Sequence, residues 1–133
     1  MQDYPLVSIL ISAYNADRFL ASACKNALSQ SWPNKEIIVI DNESEDSTYE
    51  IAQSFKEQNI KVIRQGHTPL GGSRNKGIEA STGDYIQFMD VDDYISPDKI
   101  QIQMERLLHN ESGYIATCLW GIFHDDISDI VLK

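Results

Sequence analysis

Residues 85–99 read YIQFMDVDDYISPDK, an apolar run that leads straight into Asp90, Asp92 and Asp93. Carboxylates this close repel one another, and each costs free energy to remove from water. A divalent cation would neutralise such a cluster. Asp90 and Asp92 have the DxD spacing, and in an extended segment residues i and i+2 point the same way. Both are therefore expected to face one ion. Hard oxygen ligands suit Mg²⁺ or Mn²⁺, and such an ion keeps open positions that diphosphate oxygens can fill. The plainer reading is that Asp90 or Asp93 only caps a turn ahead of a helix that begins at SPDK. An EF-hand does not fit, because loop positions six and twelve would be Ile95 and Gln101 rather than Gly and Glu. TPLGGSRNKG is not a P-loop either, since no GK[ST] follows its glycines. Those glycines either admit a ligand close to the backbone or form a flexible turn.

The elements that must position these residues follow from periodicity. LVSILIS (6–12) is short, β-branched and bounded by Pro5, which predicts a strand. Phe19, Leu20, Ala23, Cys24, Ala27 and Leu28 recur at helical spacing, with Asn15 or Asp17 as the expected cap and Pro33 just past the end. EIIVID (36–41) is a continuous apolar strand, as in a sheet covered on both faces. SEDSTYEIAQSF predicts a capped helix with Ile51, Ala52 and Phe55 inward, and IKVIRQ (60–65) a third strand. A helix over 71–80, a strand at YIQFMD (85–90), a helix over 97–109 and a last strand at YIATCLWGIF (114–123) complete the pattern. The second of those helices should bury Ile100, Met104, Leu107 and Leu108.

Strands alternating with helices imply a single α/β domain over residues 1–133, with a mostly parallel, doubly wound sheet and helices on both faces. Ligands in such folds sit at the carboxyl ends of the strands. Here those ends read SAYN, DNESED, QGHTPLGG and DVDD.

Composition sets bounds. The chain has 133 residues, is 42% hydrophobic and carries a formal net charge of −9. That supports a real core and argues against a general nucleic-acid surface, which needs clustered Lys and Arg. Cys24 and Cys118 have no CxxC partner, so reduced thiols are expected. The N-terminus lacks a basic, apolar leader pattern, and no segment nears the ~20 apolar residues of a membrane span. The glycosylation-like triplets at Asn42 and Asn110 are discounted for an intracellular chain.

Four blocks carry a resemblance: VSILISAYNADRFLASACKNALSQSW, EIIVIDNESEDST, GGSRNKGIEASTGDYIQFMDVDD and PDKI. In this order and spacing the chain resembles the family 2 glycosyltransferases, the large inverting group with a GT-A fold. The resemblance implies a nucleotide-diphospho-sugar donor, a divalent metal (Mn²⁺ or Mg²⁺), and a glycan, lipid-linked or protein acceptor, as in polysaccharide biosynthesis. It implies a donor-binding set of Ser12, Ala13, Tyr14, Asp41, Asn42, Arg74, Asp90 and Val91. Tyr14 would pack on the base, where ordinary core packing is the alternative. Asp41 and Asn42 match the pair that contacts the base, although many members have Asp at both positions. Arg74 matches a basic residue near the nucleotide, or else is a solvated helix cation. Asp90 would lie near ribose and metal, and Asp92 would be the direct metal ligand. Ser12 stands where many members have Pro.

In the resembling family the general base and acceptor elements lie well beyond the DxD. The chain is therefore expected to be the donor-binding part, with its catalytic base unassigned. His124, Asp125, Asp126 and Asp129 read as a polar turn and tail, and His67 and His109 as surface residues. The unpaired thiols and the lack of a leader or membrane pattern lead to the expectation of a cytoplasmic location, with the cytoplasmic face of a membrane open to the full-length protein as a peripheral site. Two alternatives stand beside this reading. One is a nucleotide-sugar-binding module without turnover. The other is a haloacid-dehalogenase-like phosphotransferase, whose DxD lies on the first strand and wants Thr or Val where this chain has Tyr94.

Overall fold

The computed structural model describes residues 4–110, 113–124 and 126–132. The triplet at Asn110 and the tail residue Asp125 fall wholly or partly outside the described residues. Four strands form one parallel sheet: β1 (Val7–Ala13), β2 (Lys35–Asp41), β3 (Ile60–Arg64) and β4 (Tyr85–Asp90), in the order β3-β2-β1-β4. Helices α1 (Leu20–Leu28), α2 (Thr48–Ser54) and α3 (Leu70–Ala80) connect them, and α4 (Lys99–Leu108) follows β4. The α/β class, the parallel sheet and the alternation of elements are as the periodicity requires.

The sheet is covered on both faces. Ile9, Ile11, Ile37 and Val39 pack against Leu20, Ala23, Cys24 and Ala27 of α1, Ala52 of α2, and Ile100 and Met104 of α4. Leu10, Ile38 and Ile40 face the other way, with Ala80 of α3 against them. Gly77 lets α3 lie close on that face: a Cβ there would meet Ile40 Cδ1 at 3.0 Å and Leu10 Cδ1 at 3.1 Å. Both faces being apolar explains why β1 and β2 read as unbroken runs instead of alternating ones. Burial pushes the Cys24 thiol up to about 11, so it stays protonated and unreactive near neutrality.

The strand order reverses between β1 and β4. The chain steps outward from β1 to β2 to β3, then returns through α3 on the opposite face to pair β4 with β1. In open α/β sheets that reversal leaves a crevice at the strands' carboxyl ends. Here the parallel register sets Ser12 beside Asp90, Ala13 beside Asp41, and Asp41 beside Arg64.

Three expectations are corrected. The run 114–123 is not a fifth strand of the main sheet. Residues 114–120 have no regular structure, and only β5 (Gly121–Ile122) pairs, antiparallel, with β6 (Val131–Leu132). Ile115 and Leu119 are 90% and 76% exposed. Apolarity marks a segment as one that can be buried, but a strand also needs a partner edge for its N–H and C=O groups. Neither Asn15 nor Asp17 caps α1. The preceding residue is Phe19, without a side-chain cap, because the Asn15 Oδ1 accepts from Glu45 N (2.9 Å) and Asp17 N donates to Asp46 (3.2 Å). Those bonds tie the loop to the β2–α2 connection. Leu108 points outward and is 45% exposed, while Ile100, Met104 and Leu107 make the inward face of α4.

Candidate functional site

A cleft of about 260 Å³ opens at the carboxyl ends of the strands. Ser12, Ala13 and Tyr14 line it from the end of β1, Asn42 from just past β2, His67, Thr68 and Pro69 from the β3–α3 connection, and Leu70 and Ser73 from the first turn of α3. Tyr14 is 49% exposed, so it is not a core residue. Its ring meets the His67 ring at 4.7 Å between centroids, tilted by 55°. A second cavity, of about 180 Å³, lies between β4, α4 and residues 114–116, towards the amino ends of β1 and β4.

The floor of the cleft is a buried polar socket. Asp41 is fully buried. Its Oδ1 accepts from Ser44 N at 3.3 Å, and its Oδ2 lies 3.3 Å from Arg64 Nε. That second contact is an ion pair without hydrogen-bond alignment, which leaves Oδ2 a buried acceptor with no hydrogen-bond donor. A buried acceptor in that state costs free energy unless something completes it. Arg64 is held in turn by a bond to Ser44 O (3.0 Å) and by the Tyr49 ring, 4.7 Å from its guanidinium carbon.

Asn42 is used differently from its neighbour. Its Nδ2 donates to Thr68 O (2.6 Å), and its Oδ1 accepts from Thr68 N (3.0 Å), Thr68 Oγ1 (3.2 Å) and Gln65 Nε2 (3.2 Å). Gln65 also donates to Ser73 Oγ (3.1 Å) on α3. The Asn42 amide therefore anchors the β3–α3 connection.

The acidic end of β4 lies beside this socket. Arg74 donates to Asp90 Oδ1 at 2.9 Å, with its guanidinium carbon 5.5 Å from the Phe88 ring centre. The Arg74 Nε is buried and has no acceptor. Asp90 ends the strand, and Asp93 N donates to Asp90 O at 3.0 Å. The DxD is thus a turn rather than the extended segment that periodicity implied, so the alternation rule does not orient Asp92. Val91 is half-buried against the core below α4, and Asp92 and Asp93 are exposed. Desolvation, then the charges of Asp90 and Asp92, hold Asp93 above the ordinary carboxylate range, against a backbone hydrogen bond at Asp90. Asp90 and Asp92 therefore place a negative field at Asp93.

These residues fit a divalent ion of one kind. Among the described residues no three His, Cys, Asp or Glu side chains close into a cage. An ion held by one or two carboxylates that completes its shell with diphosphate oxygens and water needs no cage. The oxygen-only donors and the residual negative field suit Mg²⁺ or Mn²⁺.

The fold brings Ser12, Ala13, Tyr14 and Asn42 onto one cleft, with Asp41 beneath it and Arg74 paired to Asp90 alongside. His67, Thr68, Gln65 and Ser73 were not singled out from sequence. Their only signal was the polar segment QGHTPLGG at a strand's carboxyl end, with Ser73 just beyond it. His67 is exposed, as expected of a surface residue, yet it borders the cleft. Asp126 caps a short turn, its Oδ1 accepting from Ser128 N at 2.8 Å. Among the described residues no helix is long and apolar enough to cross a membrane.

Comparison with known proteins bears on the family and the fold. The chain is 36% identical over 115 residues to the Escherichia coli UDP-Glc:alpha-D-GlcNAc-diphosphoundecaprenol beta-1,3-glucosyltransferase WfaP, covering 82% of this chain and 46% of that protein. It spans less than half the length of the curated relatives it matches. The fold is that of S. aureus TarS 1–349 in complex with UDP-GlcNAc (TM-score 0.73, 23% identity, 77% of this chain and 31% of that one). It is equally that of the mannosyltransferase PcManGT from Pyrobaculum calidifontis in complex with GDP-Man and Mn²⁺ (TM-score 0.73, 18% identity, 79% and 33%). A DxD at the end of the fourth strand, with Tyr94 after it, leaves the phosphotransferase alternative without support. The sequence model of glycosyl transferase family 2 matches residues 8–129, nearly the whole chain, and to that family the chain belongs.

Proposed function

We propose that this chain binds the nucleotide-diphospho-sugar donor of a metal-assisted, inverting glycosyltransferase. The observation that carries the reading is the cleft at the strand reversal, lined by a half-exposed Tyr14 and by Ser12, with Asp41 next to Ala13 and Asp90 next to Ser12 in the sheet register. Solved structures of the same fold hold UDP-GlcNAc, or GDP-Man with Mn²⁺, which supports a donor of this class.

Each group has a role in that reading. Tyr14 offers an aromatic face to the base. The Oδ2 of Asp41, ion-paired with Arg64 but without a hydrogen-bond donor, is the acceptor assigned to the base. Arg74 steadies Asp90 while the turn is without its cation. A divalent cation, when bound by Asp92 and Asp90, supplies Lewis-acid neutralisation of the departing diphosphate. Inversion further requires a carboxylate base opposite the departing group, and no residue described here is assigned that part. The lipid-linked acceptor in WfaP's name supports an acceptor of that kind; a reaction at the cytoplasmic face of a membrane is part of the proposal.

The test is calorimetric titration of UDP and GDP into the chain, once in Mn²⁺ and once in EDTA. Saturable binding of one nucleotide, strengthened by Mn²⁺, is expected. No binding of either in Mn²⁺ would overturn the reading. Acceptor-dependent release of nucleoside diphosphate from donor sugars then separates transfer from binding alone.

A further inference from the structure

We propose that His67 is the second wall of the nucleotide site, and that Asn42 serves this site by holding the loop that carries His67 rather than by touching a base. The inference rests on the donor-binding reading above and adds two residue roles to it.

The His67 and Tyr14 rings border one cleft and form a shallow V, 4.7 Å between centroids and tilted by 55°. A flat base laid on one ring of such a pair meets the other at its rim. Among the described residues the His67 ring nitrogens have no hydrogen-bond partner, so they are free to donate to a base edge or accept from it. The exposed position of His67 costs the fold nothing, and its ring has no part in the core.

The loop beneath it is fastened. Asn42 is 5% exposed and both ends of its amide are engaged with Thr68 and Gln65. His67 N donates to Glu43 at 2.9 Å, and Gln65 N donates to Asp41 O at 3.0 Å. An Asp at position 42 could accept the bonds from Thr68 and Gln65. It has no N–H for Thr68 O, and would set carboxylate oxygen against carbonyl oxygen. The amide is therefore the side chain that this loop requires, and little of it remains to meet a ligand.

The experiment compares the parent chain with His67→Ala, His67→Phe and Asn42→Asp. The probes are UDP, GDP and inorganic pyrophosphate, each titrated in Mn²⁺. For the nucleotide that the parent binds, His67→Ala is expected to weaken affinity about tenfold, the order of one base–aromatic contact. Pyrophosphate affinity and melting temperature should be unchanged, and His67→Phe should retain most of the nucleotide affinity. In Asn42→Asp the nucleotide affinity should fall likewise. The His67 ring-proton resonances should then move to the positions of a free imidazole, as the Tyr14 contact is lost. If Asn42→Asp does not fold, Gln65→Leu loosens the same loop and takes its place. Nucleotide binding by His67→Ala as tight as the parent's, or an equal loss for pyrophosphate, overturns the role of His67. An unmoved His67 resonance in the loop variant overturns that of Asn42. A parent chain that binds neither nucleotide overturns the donor-binding reading itself, and does so before any variant is made.

Discussion

Two strand ends in this protein carry acidic clusters and treat the charge in opposite ways. At the end of β2, Asp41 is fully buried, paired with Arg64, bonded by Ser44 N, and followed by an amide that ties down the next loop. At the end of β4, Asp90 has Arg74, while Asp92 and Asp93 face water. The first is a buried polar socket whose charge is met by Arg64 and Ser44 N. The second leaves repulsion in place, which is what a site has when its counter-charge arrives with the ligand. The difference matches the donor proposed above, with a base at the first strand end and a diphosphate with its cation at the second.

The comparison is broken most severely at Asp41. Asp41→Ala removes the buried partner of Arg64 and the acceptor for Ser44 N. A stability loss of about 2 kcal/mol is expected, the order for hydrogen bonds to a charged group, tempered because Arg64 is half exposed. That corresponds to roughly 8 °C in melting temperature for a domain of this size, read by circular dichroism. A change of only a degree would mean that the socket is not structural.

At the other strand end the same kind of substitution should leave the fold alone. Asp92→Ala is expected to melt with the parent, while the Mn²⁺-dependent part of nucleoside diphosphate binding disappears. A loss on the order of tenfold in Mn²⁺, and none in EDTA, is the expected titration result, equivalent to about 1.4 kcal/mol. Lost stability with intact Mn²⁺ dependence would assign Asp92 to the turn instead.

The smallest effect sharpens the contrast through pH. Asp93 is held above its unfolded value by desolvation and by Asp90 and Asp92, so its ionised form opposes folding. The penalty is present above the raised native pKa, and is relieved as pH falls through it towards the unfolded value of ~3.9. Asp93→Asn should therefore stabilise the chain near pH 7 by about 0.5 kcal/mol or less, the scale of surface changes. The gain should vanish as the medium is acidified below pH 4. A gain that persists there would rule out charge as its source.

The elements were legible in the sequence because each depends on residues within a few positions of one another. The apolar runs of β1 and β2, the helical spacing of Leu20, Ala23, Cys24 and Ala27, and the site-bearing strand ends all follow from local pattern. The run 114–123 shows where that pattern stops being enough, since a strand needs an edge to pair with and sequence does not say whether one is free.

Residue type and spacing by themselves determined that carboxylates, an amide and an aromatic would gather at the ends of parallel strands. Only the tertiary structure decided how each is employed. Asn42 looked equivalent to Asp41 from its place in the chain, yet its partners Gln65 and Thr68 are 23 and 26 residues away, and its amide bonds to both of them at the rim of the cleft. His67 had no partner at any recognisable spacing, and gains one in Tyr14 because β3 hands the chain back across the crevice. Asp90 and Asp92 kept their spacing but lost the extended geometry assumed for them, because a bond from Asp93 N closes a turn at the strand's end. A hydrogen bond is directional and satisfied over about 3 Å. Which group a buried amide or carboxylate meets is therefore set by packing between distant segments, and periodicity along the chain carries no record of it.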